Sequence, residues 1–160
     1  MRLYHGSNAA VIQPLVAKGR PMLDFGQGFY LTSYQEQAAN WARRRALRAG
    51  GSPMLNVYEF DNRAEGLRVL EFGDNDAAWV EFVCACRRGG TGFRDYDLIV
   101  GGVADDKVFA AVDFYARGLW GMEQTLEALR YYRRNDQYCI VSQWVVDERL
   151  KFMGLEEVRP

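Results

Sequence analysis

Two glycines separated by one residue, followed at once by a short aromatic run, constrain this chain more than any other feature. The stretch is Asp24-Phe25-Gly26-Gln27-Gly28-Phe29-Tyr30-Leu31-Thr32, and it continues through Ala38-Ala39-Asn40-Trp41-Ala42. Glycine at Gly26 and Gly28 permits positive φ or a close backbone approach. Phe29, Tyr30 and Leu31 favour a pleated, half-buried strand. Tyr30 and Trp41 lie eleven residues apart, so a strand, a turn and the start of a helix can fold one ring back toward the other. Two opposed aromatic faces make a slot for a flat ring, a cationic one best of all. The same aromatics would serve equally as plain core, and the stretch alone leaves both uses open. It is not a dinucleotide fingerprint, because the third glycine is missing and the glycines lead into a strand rather than a helix.

A chain of 160 residues with 49% hydrophobic and 26% charged residues fits one globular domain. A formal net charge of −1 provides no global attraction to nucleic acid or to a membrane. No apolar run reaches membrane-spanning length, and no basic-then-apolar leader opens the chain, so a cytoplasmic protein is expected. Cys84, Cys86 and Cys139, with a single histidine, make a poor metal-ligand set and read as reduced, buried thiols.

Strands are expected at Met1 to Tyr4, Pro53 to Phe60, Leu67 to Phe72, Tyr96 to Val100, Gln137 to Ser142 and Leu150 to Met153, besides the aromatic run. Helices are expected over Tyr34 to Ala49 (capped by Ser33 and stopped by Gly50-Gly51), Asp74 to Arg88, Asp106 to Arg117, Met122 to Arg133 and Gln143 to Arg149. The spacing of Trp79, Phe82, Val83 and Cys86 marks a core-facing stripe. Arg43, Arg44, Arg45 and Arg48 form a basic cluster that is either a solvated face or a phosphate contact. His5, at a strand end before Gly6, is either structural or a ligand-ready group. Strands and helices mix without regular alternation, so the fold class is α+β.

With these elements in place, the sequence resembles the ADP-ribosyltransferase superfamily, in the His-Tyr-Glu branch of diphtheria toxin and the poly(ADP-ribose) polymerases. His5-Gly6-Ser7 is similar to the first motif of that branch, and Gly26-Gln27-Gly28-Phe29-Tyr30-Leu31 to its Gly-Lys-Gly-Ile-Tyr-Phe. Ala39-Asn40-Trp41 is similar to the Ala-Asn-Tyr that follows, and Asn135-Asp136-Gln137-Tyr138 stands where Asn-Glu-Tyr supplies the third residue. More narrowly, the chain to about Met153 resembles a small bacterial, toxin-like family of unnamed domains. Its signatures are Leu-Tyr-His-Gly-Ser, Asp-Phe-Gly-x-Gly-Phe-Tyr-Leu-Thr, Tyr-Asp-Leu/Ile-Val-x-Gly-x-Val-Ala-Asp-Asp and Asp-Gln before a strand.

The resemblance implies a split β-sandwich with NAD as co-substrate in the cleft between two small sheets. His5, Tyr30 and Gln137 would be the catalytic set, and His5, Gly6, Ser7, Gly28, Tyr30 and Trp41 would bind NAD. In detail, it implies that His5 bonds the adenosine ribose, the Gly6 backbone holds the carboxamide, and Tyr30 and Trp41 stack on the nicotinamide. Ala38 stands where the polymerases carry a serine, so that contact is expected to be missing. The implied activity is mono-ADP-ribosylation of a protein or nucleic acid by a bacterial toxin or effector, with an antitoxin as a further partner. A silent NAD- or ADP-ribose-binding module and an NAD glycohydrolase are the alternatives. Departure of nicotinamide leaves an oxocarbenium-like sugar, which a nearby carboxylate stabilises well. Gln137 is a neutral amide that can accept or donate a hydrogen bond but carries no charge. Asp136, Asp105 and Asp106 are therefore candidates for the missing charge.

Overall fold

The computed structural model describes residues 1–63, 65–74, 76–104, 106–130 and 135–158, with only the backbone described at 106 and 107. The chain is α+β, with seven strands in two sheets and five α-helices among the described residues. Strands β1 (Arg2–Ser7), β3 (Met54–Phe60) and β7 (Leu150–Glu157) form an antiparallel sheet in the order β1-β3-β7. The second sheet runs β2-β6-β5-β4, from β2 (Phe29–Leu31), β6 (Gln137–Ile140), β5 (Leu98–Gly101) and β4 (Val69–Glu71). Its β4/β5 pair is parallel, and helix α2 (Ala77–Arg87) lies in the connection such a pair requires.

Period-two alternation decides what each face of the second sheet carries. Phe29, Leu31, Leu98 and Ile140 turn toward Leu3, Tyr58 and Phe60 of the first sheet and form one core with Val145 and Val146. The latter two come from helix α5 (Gln143–Arg149), whose bounds match those expected. Ile99 and Cys139 face the other way, into a second core. That core joins Trp79, Val83 and Cys86 of α2 to helices α3 (Asp106–Ala116) and α4 (Met122–Leu129). The expected α2 stripe is thus core, with Phe82 only partly buried. All three cysteines are buried free thiols.

The sheets are tied at one corner. Tyr4 N donates to Thr32 O at 2.8 Å and Thr32 N donates to Tyr4 O at 3.0 Å, an antiparallel bridge between the middle of β1 and the residue that follows β2. Helix α1 (Gln35–Ala49) then packs back on β1. The approach is so close that a Cβ on Gly6 would stand 1.9 Å from the Ala38 carbonyl oxygen, which accounts for glycine there. Gly50, at φ 77°, ends α1 in the left-handed region that glycine tolerates.

Ser33 does not cap α1: the N-cap is Tyr34, without a side-chain bond. The Ser33 hydroxyl instead donates to Asp136, whose Oδ1 also accepts from Thr32 Oγ1 at 2.7 Å and Ser33 N at 2.8 Å. Asp76 caps α2, accepting from Ala78 N at 2.8 Å, so the helix begins at Ala77, three residues after the expected Asp74. Strand β7 runs to Glu157, past the expected Met153, because it pairs with β3 along its length. The expected extension of α4 through residues 131–133 lies outside the described residues. No described helix is long and apolar enough to cross a membrane.

One polar hub secures the second sheet. Buried Asp97 accepts from Arg68 Nη2 at 2.9 Å, Arg68 Nε at 3.0 Å and Ser142 Oγ at 2.5 Å, joining the start of β4 to the end of β6. The Arg68 guanidinium holds the Asp97 carboxyl well below the usual carboxylate range, against the opposing effect of burial. Asp97→Asn is expected to cost about 2 kcal/mol in urea unfolding, the scale of hydrogen bonds to a charged group. A folded value below the unfolded one means this contribution is complete above pH ~3.8 and lost as pH falls through the lower folded value.

Candidate functional site

The register of β2 on β6 brings two of the expected site residues to one face. Tyr30 pairs directly with Cys139, and Leu31 with Tyr138. Gln137 is two residues before Cys139, so period two puts Tyr30 and Gln137 on one side as diagonal neighbours. The Tyr4–Thr32 bridge adds the third, since His5 follows Tyr4 and faces β2. Its Nδ1 lies 2.8 Å from the Tyr30 carbonyl oxygen, and its ring packs on Phe29 with centroids 4.6 Å apart. On β1's other side, buried Asn56 donates to the His5 and Ala9 carbonyls and accepts from Val11 N at 2.7 Å.

These side chains line a two-lobed cleft. The first lobe, about 390 Å³, is walled by His5, Gly6, Tyr30, Trp41 and Gln137, with Arg20, Leu23, Asp24, Arg44, Arg45, Arg48 and Ala104. The second, about 770 Å³, shares His5, Gly6, Arg20, Leu23, Tyr30 and Arg45 and extends over Ser7, Gly28 and the segment after β1. Lobes of this size fit small-molecule sites. Each of the seven residues singled out from the sequence therefore borders the cleft. Ala38 is fully buried, its carbonyl against Gly6. The glycines of the opening stretch divide their work: Gly26 takes φ 73°, whereas a Cβ on Gly28 would stand 2.3 Å from Cys139 Sγ. Gln27 donates to the Ala17 and Gly19 carbonyls, fastening the loop that carries Arg20.

Tyr30 offers the cleft its ring rather than its hydroxyl. The hydroxyl donates to Gly26 O at 2.6 Å and accepts from Phe25 N at 3.0 Å, and burial pushes its pKa upward. His5 is held neutral. Burial lowers its pKa from 6.5 and the Arg45 charge lowers it further, while the Tyr30 carbonyl opposes them. A carbonyl only accepts, so Nδ1 carries the proton and Nε2 is left as an acceptor for a ligand donor.

The basic cluster of α1 divides. Arg44, Arg45 and Arg48 border the cleft, whereas Arg43 pairs with Glu36 at 2.9 Å and Asn40 at 2.8 Å on another face. With Arg20, and with Lys18 on the second lobe, they make the cleft strongly positive.

A carboxylate that was not among those expected borders the cleft. Asp136 is engaged at the start of α1 and does not border the cleft. Asp105 and the side chain of Asp106 lie outside the described residues. Among the described residues Asp24 is the acid that borders the first lobe, and it is 9% exposed. Its Oδ1 accepts from Arg87 Nη2 at 2.6 Å and Nε at 3.0 Å, and its Oδ2 from Ala104 N at 3.0 Å and Gln137 Nε2 at 3.1 Å. Arg87 also lies over the Phe109 ring, 4.5 Å from its centroid. The sequence signal for Asp24 was its place at the head of the glycine-aromatic stretch. Nothing local announces its burial, which Arg87, Ala104 N and Gln137 together make tolerable.

His5 is the sole histidine, so its ring resonances can be followed by NMR without overlap. Its titration is expected below the ordinary 6.5, and an unshifted or raised pKa would contradict the site as described. The linked stability is complete above pH ~6.5 and declines as pH falls from there toward the folded value, where the unfolded chain binds the extra proton.

No curated protein and no solved structure matches the chain significantly. A family model does match, over residues 1–152, and by that match the chain belongs to the family described as "Protein of unknown function (DUF3990)".

Proposed function

We propose that the cleft binds NAD and transfers its ADP-ribose to a macromolecular acceptor, protein or nucleic acid, with release of nicotinamide. The observation that carries this reading is convergence. His5, Tyr30, Trp41 and Gln137, from four separate elements, border one cavity. They are the side chains on which the sequence resembles the His-Tyr-Glu ADP-ribosyltransferases. The toxin-like bacterial proteins of that resemblance extend the proposal to a toxin or effector of the bacterial cytoplasm, restrained by an antitoxin protein.

The chemistry of the lining supports the same ligand. Neutral His5 Nε2 accepts from a ribose hydroxyl. The aromatic faces of Tyr30 and Trp41 attract the cationic nicotinamide ring. Arg20, Arg44, Arg45 and Arg48 supply positive charge for a diphosphate. In the reaction, the bond between the sugar's anomeric carbon and the nicotinamide nitrogen breaks, and its electron pair leaves with the nicotinamide. A lone pair of the acceptor forms the new bond to that carbon, and the acceptor's proton passes to solvent. The protein's part is to grip the ring, orient the sugar and favour charge developing on it.

Neutral Gln137 favours a second reading, in which the same cleft binds NAD or ADP-ribose without turnover. Calorimetry with NAD, paired with a nicotinamide-release assay, separates the two. Binding without release supports the silent module, and release without a labelled polymer supports an NAD glycohydrolase.

The transferase reading is tested by incubating the purified chain with adenine-labelled NAD and cell extract and locating the label. Tyr30→Ala, checked for folding by thermal unfolding, is expected to lower nicotinamide release about 10- to 100-fold, the scale of one lost stacking contact. Tyr30→Phe is expected to retain most of the turnover, because the hydroxyl is bonded to Gly26 and Phe25 rather than offered to substrate. Unchanged release in folded Tyr30→Ala would count against the proposal.

A further inference from the structure

A primary amide in a binding site is ordinarily ambiguous, able to offer either its oxygen or its nitrogen. Gln137 is not. Its Nε2 donates to Asp24 Oδ2 at 3.1 Å and to the Gly102 carbonyl at 2.9 Å, which uses both of its hydrogens within the protein. Its Oε1 accepts nothing among the described residues. No enclosed side-chain polar atom there lacks a partner, so Oε1 opens on the cavity that Gln137 helps to line.

Asp24 cannot itself receive a substrate hydroxyl, since four donors already occupy its two oxygens: Arg87 twice, Ala104 N and Gln137 Nε2. Nor can the unit turn round. A reversed Gln137 amide would set Oε1 against the Asp24 carboxylate and the Gly102 carbonyl, three acceptors with no hydrogen among them.

We propose that Asp24 is the positioning residue of this site: by holding the Gln137 nitrogen inward it makes Gln137 a one-way hydrogen-bond acceptor for a sugar hydroxyl of the substrate. The proposal rests on the NAD reading above and adds how a neutral amide does the orienting work of a carboxylate. Gln137 touches the substrate, and Asp24 acts only through it. Asp24, with Arg87 behind it, polarises the amide and fixes its direction.

Two variants test this. Asp24→Asn exchanges one acceptor oxygen of the side chain for a donor and frees the Gln137 amide to turn. Gln137→Glu sets a carboxylate oxygen against the Asp24 carboxylate and the Gly102 carbonyl in place of the hydrogens that both accept. Each single variant is expected to lower kcat for nicotinamide release about 10- to 100-fold, with KM for NAD much less changed. The readout is kcat against KM at a temperature where thermal unfolding shows every variant folded, so a purely structural effect would not produce the split.

Gln137→Glu matching or exceeding the parent overturns the proposal, and so does a folded Asp24→Asn that keeps the parent kcat. Should Asp24→Asn fail to fold, Gln137→Glu decides by its own loss or gain. A parent protein that neither binds ADP-ribose in calorimetry nor releases nicotinamide removes the NAD reading, and this proposal with it. That outcome is distinct from a parent that turns over while either variant keeps its kcat.

Discussion

A buried carboxylate holds the site together. Asp24 sits in the loop before β2, and its four hydrogen bonds reach helix α2 through Arg87, the segment between β5 and α3 through Ala104 N, and strand β6 through Gln137. Taking a charge out of water is costly unless every oxygen finds a partner. That cost works here as a constraint, because the charge is satisfied only when these distant segments are assembled. The geometry of the cleft is thus coupled to completion of the second core.

The other constraint is the corner where the sheets meet. Two backbone hydrogen bonds between Tyr4 and Thr32 align the middle of β1 with the end of β2. From that alignment, His5 lands on the Tyr30 carbonyl and the Phe29 ring. Gly6 lets α1 lie against β1, which brings Trp41 and three arginines to the same opening. A side chain at Gly6 would push α1 outward and move one whole wall of the cleft. Tolerance and function therefore meet at single positions: Gly6 and Gly28 border the cleft and are also required for packing.

Much of this architecture was legible from local pattern. The bounds of α5, the buried stripe of α2 and the aromatic strand β2 all follow from periodicity and propensity, which act over a few residues. The site residues His5, Tyr30, Trp41 and Gln137 were legible only through motif resemblance, since spacing alone left His5 and the aromatics equally suited to structural work. Expectations failed where a local preference lost to a distant partner. Ser33 was expected to cap α1, and its hydroxyl went to Asp136. Asp136 was a candidate charge for the cleft, and that same contact holds it elsewhere.

By itself the sequence determined an α+β chain, the alternation that sends Phe29 and Leu31 one way and Tyr30 the other, and the need for glycine beside the aromatic strand. Tertiary structure alone decided that Asp24 borders the cleft, which arginines of α1 face it, and which way the Gln137 amide points. The physical reason is range. Alternation and backbone freedom are set by near neighbours in the chain, whereas the burial of Asp24 depends on Arg87, sixty-three residues away, and on Gln137, one hundred and thirteen residues away.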